Sequence, residues 1–453
     1  MTIQSIDPSS GTLIAQYRAD DSSVVDAKLD KARIAYASWK ETPLDQRADF
    51  LRRVGKILLR DLEKHAQLMT LEMGKPIREA RAEITKCGWV LDYYADNADA
   101  FLEPREVETD GSRSFIRFDP IGPILAVMPW NFPYWQVIRF AAPNLIAGNV
   151  GLLKHAPNVS GCALAIQEVF VNAGLPQGVF QTLIVPVSAV KGIIDDERVS
   201  GVTLTGSEAA GRSVGAQAGH AIKPTVLELG GSDPFVVLSD GDPREASKAA
   251  LVSRMLNSGQ SCVAAKRLIV EKNHYQSFVD YLTEGIRGLR LGDPKEEATD
   301  VGPLAKREFV EKIHHQVVET LAEGGRCLIG GSLLPGEGSF YPPTLLVDVS
   351  EEMTCFREET FGPVAVILCA KDDNDALRLA NKTRFGLGAS LWTTPERGVE
   401  LAPQIEAGHV AINGMVKSDP RLPFGGIKAS GYGRELSEFG ILPFINIKTV
   451  WVR

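Results

Sequence analysis

The stretch PILAVMPWNFPYWQVIRFAAPNLIAGNVGLLKH (residues 123–155) decides the fold of this chain. It begins with a short apolar run, continues through a longer segment with helical spacing, and ends in a second apolar run at 150–155. A strand, a helix and a second strand of these lengths form a βαβ unit, in which the two strands lie parallel. The same alternation continues to TVLELGG (225–231), which predicts a doubly wound parallel sheet.

A second region of alternating strands and helices covers about 232–427 and predicts a second doubly wound sheet. Upstream of both regions, helical periodicity extends over 22–67 and again over 70–98. Two segments remain, 112–122 and 436–453, and their residues alternate as in β-strands. The predicted fold class is therefore α/β, with two doubly wound, Rossmann-like domains and a small additional β domain.

Composition excludes several classes of protein. The 453 residues are 44% hydrophobic and 23% charged, and 49 Lys and Arg stand against 57 Asp and Glu, a net charge of −8. No basic block is present, so neither nucleic acid nor an anionic membrane is expected as a partner. No apolar run approaches the roughly 18 residues that a membrane helix needs. The start, MTIQSIDPSSG, lacks a basic and apolar leader, so a cytoplasmic location is expected.

The thiols and imidazoles give one candidate site. Six cysteines are scattered without a Cys-x-x-Cys pair, which is typical of reduced thiols in a cytosol. The seven histidines include no His-Glu-x-x-His motif, and no metal site is expected. Cys262 differs from the other cysteines because it lies in NSGQSCVAAKR (257–267), whose small and polar residues favour a loop over a core strand.

Three further segments supply chemical partners for Cys262. They are MPWNFP (128–133), LELGGSDPF (227–235) and EETFGPV (358–364). An acyl-transfer site needs a nucleophile, an oxyanion donor and a base, and these segments add an amide and a carboxylate to the thiol. In order and spacing, the four segments resemble the aldehyde dehydrogenase superfamily, and the resemblance extends to PFGGIKASGYGRE (423–435). Among its members, the chain is most similar to bacterial succinate-semialdehyde dehydrogenases.

The resemblance implies an NAD(P)-dependent oxidation of an aldehyde to a carboxylate. Cys262 is the expected nucleophile, whose thiolate adds to the aldehyde carbon to give a thiohemiacetal that releases hydride and becomes a thioester. Asn131, held between Pro129 and Pro133, is the expected oxyanion donor. Glu228 is the expected general base for the water that hydrolyses the thioester, since a carboxylate in an apolar strand is costly without a role.

The segment that binds the cofactor is harder to identify, because the chain contains no Gly-x-Gly-x-x-Gly fingerprint. GSEAAG (206–211), which follows a strand, can instead place the amides of a helix N-terminus against a pyrophosphate. Extended through Arg212 and Ser213, the segment nearly matches a nucleotide triphosphatase loop, but Arg replaces the phosphate-binding Lys. GRSVG (211–215) matches the Gly-x-Ser-x-Gly of serine hydrolases, but its Ser would lie inside a helix rather than at a strand-to-helix turn.

The resemblance also implies the cofactor contacts and the cofactor. In NAD-preferring relatives a Glu stands where this chain has Pro157, and its carboxylate would repel a 2′-phosphate. NADP is therefore expected to be preferred or accepted, with NAD as the weaker alternative, unless Pro157 only shapes the turn and another acidic residue discriminates. The expected cofactor-binding residues are Trp130, Lys154, Pro157, Gly206, Ser207, Leu229, Glu359 and Phe361.

Succinate semialdehyde is the substrate that the resemblance implies, with contacts at Arg139, Trp135 and Ser418. An Arg occupies the place of Arg139 in succinate-semialdehyde dehydrogenases, where it would grip the remote carboxylate by a bidentate pair. The alternative is an ordinary surface or ion-paired Arg. A second Arg, often found six residues before the nucleophile, is Leu256 here, and Ser418 or Arg421 can substitute for it. Glutarate semialdehyde and aliphatic aldehydes therefore stay open as substrates.

The resemblance finally assigns parts of the chain to domains. Residues 1–111 and 123–231 are expected to bind NAD(P), and 232–427 to carry the nucleophile. The strands in 112–122 and 436–453 are expected to join subunits into a homodimer or homotetramer. A cofactor-free thiol hydrolase or a structural protein on the same scaffold is the contrasting possibility. The retained thiol, amide and carboxylate disfavour a structural role, and Glu359 and Lys154 disfavour a cofactor-free one.

Overall fold

A computed structural model describes residues 2–453. The strands are β1 (Thr2–Ile6), β2 (Leu13–Arg18), β3 (Arg105–Glu106), β4 (Arg113–Pro120), β5 (Pro123–Met128), β6 (Val150–His155), β7 (Phe180–Thr182), β8 (Gly201–Thr205), β9 (Thr225–Glu228), β10 (Asp233–Val237), β11 (Ala265–Glu271), β12 (Arg326–Ile329), β13 (Thr344–Val347), β14 (Val364–Ala370), β15 (Gly388–Trp392), β16 (His409–Ile412), β17 (Gly431–Tyr432) and β18 (Ile445–Val452). The α-helices are α1 (Ser22–Trp39), α2 (Leu44–Arg60), α3 (Leu62–Met73), α4 (Ile77–Leu102), α5 (Trp135–Ala147), α6 (Ser160–Asn172), α7 (Val190–Asp195), α8 (Glu208–His220), α9 (Pro243–Met255), α10 (Lys272–Arg287), α11 (Arg307–Ala322), α12 (Thr354–Arg357), α13 (Asp373–Asn381) and α14 (Pro395–Leu401). Among these described helices, none is both long and apolar enough to cross a membrane.

The first sheet has six strands in the order β17-β9-β8-β5-β6-β7. Strands β5 to β9 are parallel, and β17 pairs antiparallel with β9. Their residues are almost all buried, because helices cover both faces of the sheet. The chain leaves β5 toward β6 on one side and returns to β8 on the other. This reversal of strand order opens a crevice outside the carboxyl ends of β5 and β8, where doubly wound sheets bind ligands.

The second sheet has seven strands in the order β12-β13-β14-β11-β10-β15-β16. All pairs are parallel except the edge pair of β12 and β13. Separate apolar clusters fill its two faces, so the sheet is again enclosed in helices. The prediction of two doubly wound parallel sheets is confirmed.

A third, three-stranded sheet has the order β18-β4-β3. Strands form in both of the segments predicted from alternation, and Arg113–Pro120 pairs antiparallel with Ile445–Val452. The strand does not extend through all of 436–453, because 3-10 turns at Glu438–Gly440 and Leu442–Phe444 precede it. The short β3 and the N-terminal hairpin of β1 and β2 were not expected from the sequence.

The continuous helix predicted over 70–98 is wrong. Helix α3 ends at Met73, Gly74 adopts a left-handed φ of 78°, and α4 begins only after Pro76. A left-handed glycine caps the C-terminus of a helix, and the following proline directs the chain into a new one. The break sets the direction of α4, one face of which borders the site described below.

Helix α5 is buried on every side, as its nearly all-apolar sequence requires. Its first turn is held by Glu83 of α4, whose Oε1 accepts the backbone N–H groups of Tyr134 and Trp135, each at 2.9 Å. The carboxylate satisfies amides that have no partner within the helix and complements the positive end of the helix dipole. Glu83 is itself paired with the buried Lys75. Helices α4 and α5 therefore form one rigid support beneath the site.

Candidate active site

Cys262 lies where two cavities meet. The first cavity, of about 220 Å³, lies outside the carboxyl ends of β5, β8 and β9, where the strand order reverses. The second cavity, of about 210 Å³, lies between α4, α5 and the loop after β16. Of the predicted site residues, the first cavity is lined by Trp130, Asn131, Gly206, Ser207, Leu229, Cys262, Glu359 and Phe361. The second is lined by Trp135, Arg139, Cys262 and Ser418.

The backbone before Cys262 is a left-handed turn. Asn257, Ser258 and Gly259 have φ values of 54°, 54° and 76°. Non-glycine residues in this region cost about 1–3 kcal/mol each, although Asn tolerates it better than most, so the surrounding contacts must hold the turn in place. Ser258 Oγ provides one such contact, since it donates to the Gly302 carbonyl at 3.0 Å and accepts the Gly302 N–H at 2.9 Å.

Arg254, at the end of α9, holds the turn from inside. Its guanidinium is fully buried, and Nη2 donates to the carbonyls of Gly259, at 2.7 Å, and of Thr360 and Gly362. Burial lowers the pKa of Arg254 to about 10, which leaves it charged at neutral pH. One buried cation thus connects the loop of Cys262 to the loop that carries Glu359.

Asn131, the predicted oxyanion donor, lines the first cavity together with Cys262. It is buried, and its Oδ1 accepts from Gln136 Nε2 at 3.1 Å, which fixes the orientation of the amide. Within residues 2–453, Nδ2 donates to one acceptor, the Gln260 carbonyl at 3.0 Å. Because an amide nitrogen carries two hydrogens, the second can be donated into the first cavity beside Cys262. The Asn131 carbonyl accepts from Asn257 Nδ2 at 2.7 Å, so the amide is linked to the left-handed turn.

Burial sets the protonation of the thiol. It raises the pKa of Cys262 to about 11, although the charges of Lys266 and Arg139 oppose the shift. Lys266 is itself buried, and its Nζ donates to the Cys262 carbonyl at 2.8 Å. The thiol of the ligand-free protein is therefore protonated at neutral pH.

Glu228 lies at the end of β9, as predicted, but its carboxyl group lines neither cavity. Burial, and next the charge of Glu435, raise the pKa of Glu228 well above its usual value, while Arg139 and Arg434 oppose the shift. Its Oε1 has no hydrogen-bond partner within residues 2–453, and a Cβ at Gly425 would approach that oxygen to 2.6 Å. Glu228 therefore lies outside both cavities, with a raised pKa and one carboxyl oxygen that lacks a hydrogen bond.

Glu359 joins the two sheets at the first cavity. Its Oε1 lies 2.6 Å from Lys266 Nζ and accepts the Gly231 N–H at 3.1 Å. Lys266 also donates to the Gly231 carbonyl at 2.5 Å. The carboxylate is thus fixed by a buried cation at the edge of the cavity, with part of its surface open.

The walls of the first cavity suit a nucleotide. Trp130 stacks on Phe309 with ring centroids 4.9 Å apart and meets Phe361 edge-on at 5.9 Å, which gives an apolar wall. Opposite, Ser207 caps α8 by accepting the Ala210 N–H at 3.3 Å, and the amides of this helix N-terminus can bind an anion. Ser213 lies inside α8, as the sequence predicted, and not at a nucleophile elbow.

Lys154 and Pro157 lie outside the first cavity, at the end of β6 and in the 3-10 turn that follows. Burial, and next the charge of Lys306, lower the pKa of Lys154 to about 8. Within residues 2–453, no carboxylate offsets that shift. Lys306 is paired with Glu308 at 3.2 Å, whereas no ion pair is formed by Lys154 within residues 2–453.

Arg139, expected to bind a substrate carboxylate, already has a protein partner. Its Nε lies 2.5 Å from Glu435 Oε2, both side chains are buried, and Nη2 donates to Thr205 Oγ1 at 3.3 Å. The guanidinium also lies over the Phe424 ring, 4.9 Å from its centroid. Arg139 is thus an ion-paired residue, the alternative considered above, and it also borders the second cavity. Arg421 does not line that cavity and instead pairs with Asp419 at the surface.

Four residues of the site were missed by sequence reasoning. Lys86, Arg254, Lys266 and Glu435 are charged side chains in helices, strands or loops whose sequence does not distinguish them from surface residues. For Lys86 a weak signal exists, because Glu79, Glu83 and Lys86 recur at helical spacing on one face of α4. Only the packing shows that this face borders a cavity.

Comparisons with known proteins agree along the whole chain. The model of the aldehyde dehydrogenase family matches residues 1–450. A probable NADP+ succinate-semialdehyde dehydrogenase of Synechocystis sp. is 51% identical over 453 residues, 100% of each chain. The NAD(P)+ succinate semialdehyde dehydrogenase Sad of Escherichia coli K12 is 47% identical over 99% of this chain and 97% of that protein. The crystal structure of succinic semialdehyde dehydrogenase from Streptococcus pyogenes in complex with NADP+ superposes with a TM-score of 0.97, at 36% identity and 99% coverage of both chains.

The protonation of Cys262 can be tested without any assumption about substrate. In the ligand-free protein, alkylation of Cys262 by iodoacetamide should accelerate about tenfold per pH unit from about pH 6 to about pH 10, because only the thiolate reacts. Peptide mass spectrometry measures the rate, and the exposed Cys369, which should react faster at neutral pH, is the internal comparison. A rate for Cys262 that levels off below about pH 8 would contradict the account.

Proposed function

Because this chain belongs to the aldehyde dehydrogenase family, we propose that it oxidises succinate semialdehyde to succinate, with NADP as the preferred cofactor and NAD as a weaker one. The observation that carries the proposal is the position of Cys262 between a cavity at the ligand-binding edge of a doubly wound sheet and a second cavity bordered by cations. The named relatives similar over their full length support the same substrate and cofactor.

The nucleophilic step follows from the contacts around Cys262. Its thiolate adds to the aldehyde carbon, and the carbonyl oxygen becomes an oxyanion. The free hydrogen of the Asn131 amide then stabilises that charge; one such donor is typically worth about 10²–10³ in rate. Gln136 keeps the amide in this orientation. A bound nicotinamide cofactor supplies the acceptor for the two electrons of the oxidation.

Hydrolysis of the resulting thioester falls to Glu228. Its raised pKa suits a general base at neutral to alkaline pH, since a more acidic carboxylate would be too weak. Because the carboxyl group lies outside both cavities, its side chain must turn toward Cys262 to reach the attacking water. Because Oε1 of Glu228 has no hydrogen bond in its present position, the side chain loses little when it moves away from that position.

The first cavity would hold the nicotinamide end of the cofactor. In this proposal Glu359 binds the ribose hydroxyls of that end, Leu229 and Phe361 pack on it, and Ser207 with the α8 amides contacts the pyrophosphate. Trp130, Gly206 and Lys154 contact the remainder. Lys154 lacks an anionic partner within residues 2–453 and has Pro157 nearby rather than a carboxylate, which supports acceptance of a 2′-phosphate.

The second cavity would hold the substrate chain. Its apolar wall includes Trp135, and its polar groups include Arg139 and Ser418.

Two further predictions stay untested. They are the division into a cofactor-binding domain of residues 1–111 with 123–231 and a second domain of residues 232–427, and a cytoplasmic location. We also propose that the sheet of β3, β4 and β18 joins subunits, since exposed apolar side chains such as Trp451 lie along β18.

The substrate proposal is tested first on the wild-type enzyme. With NADP, kcat/KM for succinate semialdehyde should exceed that for butanal, its analogue without the carboxylate, by about tenfold or more, because a charge-assisted contact is lost in the analogue. Glutarate semialdehyde should lie between them. Steady-state assays of nicotinamide absorbance give the values, and a preference for butanal would remove succinate semialdehyde as the substrate.

The role of Glu228 predicts a separation of the two half-reactions. Glu228→Gln should still give a rapid burst of reduced cofactor, followed by turnover slowed about a hundredfold or more, because acylation proceeds while the water is no longer activated. The amide keeps the size of the carboxyl group and removes its ability to act as a base. Stopped-flow absorbance measures both phases. Loss of the burst together with the steady state would assign Glu228 to thiolate formation instead.

Cofactor choice is tested at Pro157. Pro157→Glu should lower kcat/KM for NADP about tenfold or more, a like-charge effect of about 1.4 kcal/mol, while sparing NAD. Pro157→Gln removes the proline without adding charge and is the matched control. Titration of the quenching of tryptophan fluorescence gives each dissociation constant independently of turnover. A wild-type enzyme that accepts only NAD, or equal effects of Glu and Gln, would refute the assignment.

A further inference from the structure

Lys86 is a cation in the second cavity without an anionic partner. Its Nζ donates to Ser418 Oγ at 2.7 Å and lies 4.3 Å above the Trp135 ring. No carboxylate of residues 2–453 forms an ion pair with it. Burial, and next the charge of Arg139, lower the pKa of Lys86 to about 8. Lys86 is partly buried, and an ammonium withdrawn from water without a counter-charge is costly, so this position favours the binding of an anion.

The other buried charges around the cavity are already engaged. Arg139 is paired with Glu435, and Glu83 is paired with Lys75 and caps α5. Glu79 accepts the Asn257 N–H at 2.6 Å, and burial raises its pKa to about 7, so it is only partly ionised at neutral pH. Asp419, whose charge also acts on Lys86, is paired with Arg421 at 2.8 Å, so none of these carboxylates forms an ion pair with Lys86.

We propose that Lys86, together with the hydroxyl of Ser418, binds the carboxylate of the substrate whose aldehyde carbon lies at Cys262. This inference rests on the proposed function and identifies the residue that would select for a carboxylate-bearing aldehyde. An ammonium has three hydrogens, so Lys86 can keep its bond to Ser418 and donate another to a carboxylate oxygen. Ser418 accepts that bond through its oxygen, which leaves its own hydrogen to donate to the same carboxylate.

The geometry favours Lys86 over the other cations of the cavity. The charge of Arg139 is offset by Glu435 at 2.5 Å, so a carboxylate there would have to compete with a buried partner. Lys417 also borders the cavity, but it is exposed, and water already solvates its charge. Arg139 then contributes positive potential, and Lys86 makes the direct contact.

Lys86→Met tests the proposal, since it retains the length of the side chain and removes the charge. The ratio of kcat/KM for succinate semialdehyde to that for butanal should fall about tenfold or more, mostly through KM, because a partly buried charge pair is lost. Succinate supplies a second readout, and its inhibition constant against butanal oxidation should rise by a similar factor. Lys86→Arg should restore most of both values, because it restores the charge.

Lys56→Met, at an exposed position on α2 away from both cavities, is the matched control and should leave the ratio unchanged. If Lys86→Met does not fold, Ser418→Ala replaces it and should lower the ratio by a smaller factor. If the wild type prefers succinate semialdehyde and Lys86→Met has the same ratio of kcat/KM values as the wild type, the role of Lys86 is overturned and the proposed substrate is not. A wild type without that preference would overturn the proposed substrate, and the succinate inhibition constants would then decide on Lys86 separately.

Discussion

The left-handed turn over Asn257–Gly259 is the constraint on which the rest of the site depends. This backbone conformation costs free energy. The fully buried Arg254 stabilises it by donating hydrogen bonds to carbonyls of this loop and of the loop near Glu359. The turn also contacts the carbonyl of Asn131 through the Asn257 side chain. Cys262, Asn131 and Glu359 therefore lie on segments that share one support, and a preorganised acyl-transfer site would need such a support.

Burial is the common cause of the pKa shifts in the site. It raises the pKa of the Cys262 thiol and of the Glu228 carboxyl, and it lowers the pKa of the Lys86 and Lys154 ammonium groups. All four shifts favour the neutral form in the ligand-free protein. An anionic substrate or cofactor phosphate would reverse the shift at the two lysines, so ligand binding and the protonation of the site are coupled.

The sequence predicted the fold class and the family, and both are confirmed, because alternating strands and helices and four ordered motifs are local patterns. It also predicted which loops meet, since Asn131 and Gly206 follow strands that end at one edge of a sheet. It did not predict that Glu228 lies outside both cavities or that Arg139 is paired with Glu435, a residue almost three hundred positions away. Such pairings depend on tertiary packing, which residue spacing does not encode. The catalytic and binding roles stay predictions.

The most direct test of the central claim is to locate the covalent intermediate. Wild-type enzyme turning over succinate semialdehyde with NADP is quenched rapidly in acid, where thioesters persist, and its peptides are mapped by mass spectrometry. The account predicts a succinyl group on the peptide of Cys262, absent from the Cys262→Ala protein. Acylation of a different residue, or turnover retained by Cys262→Ala, would contradict it.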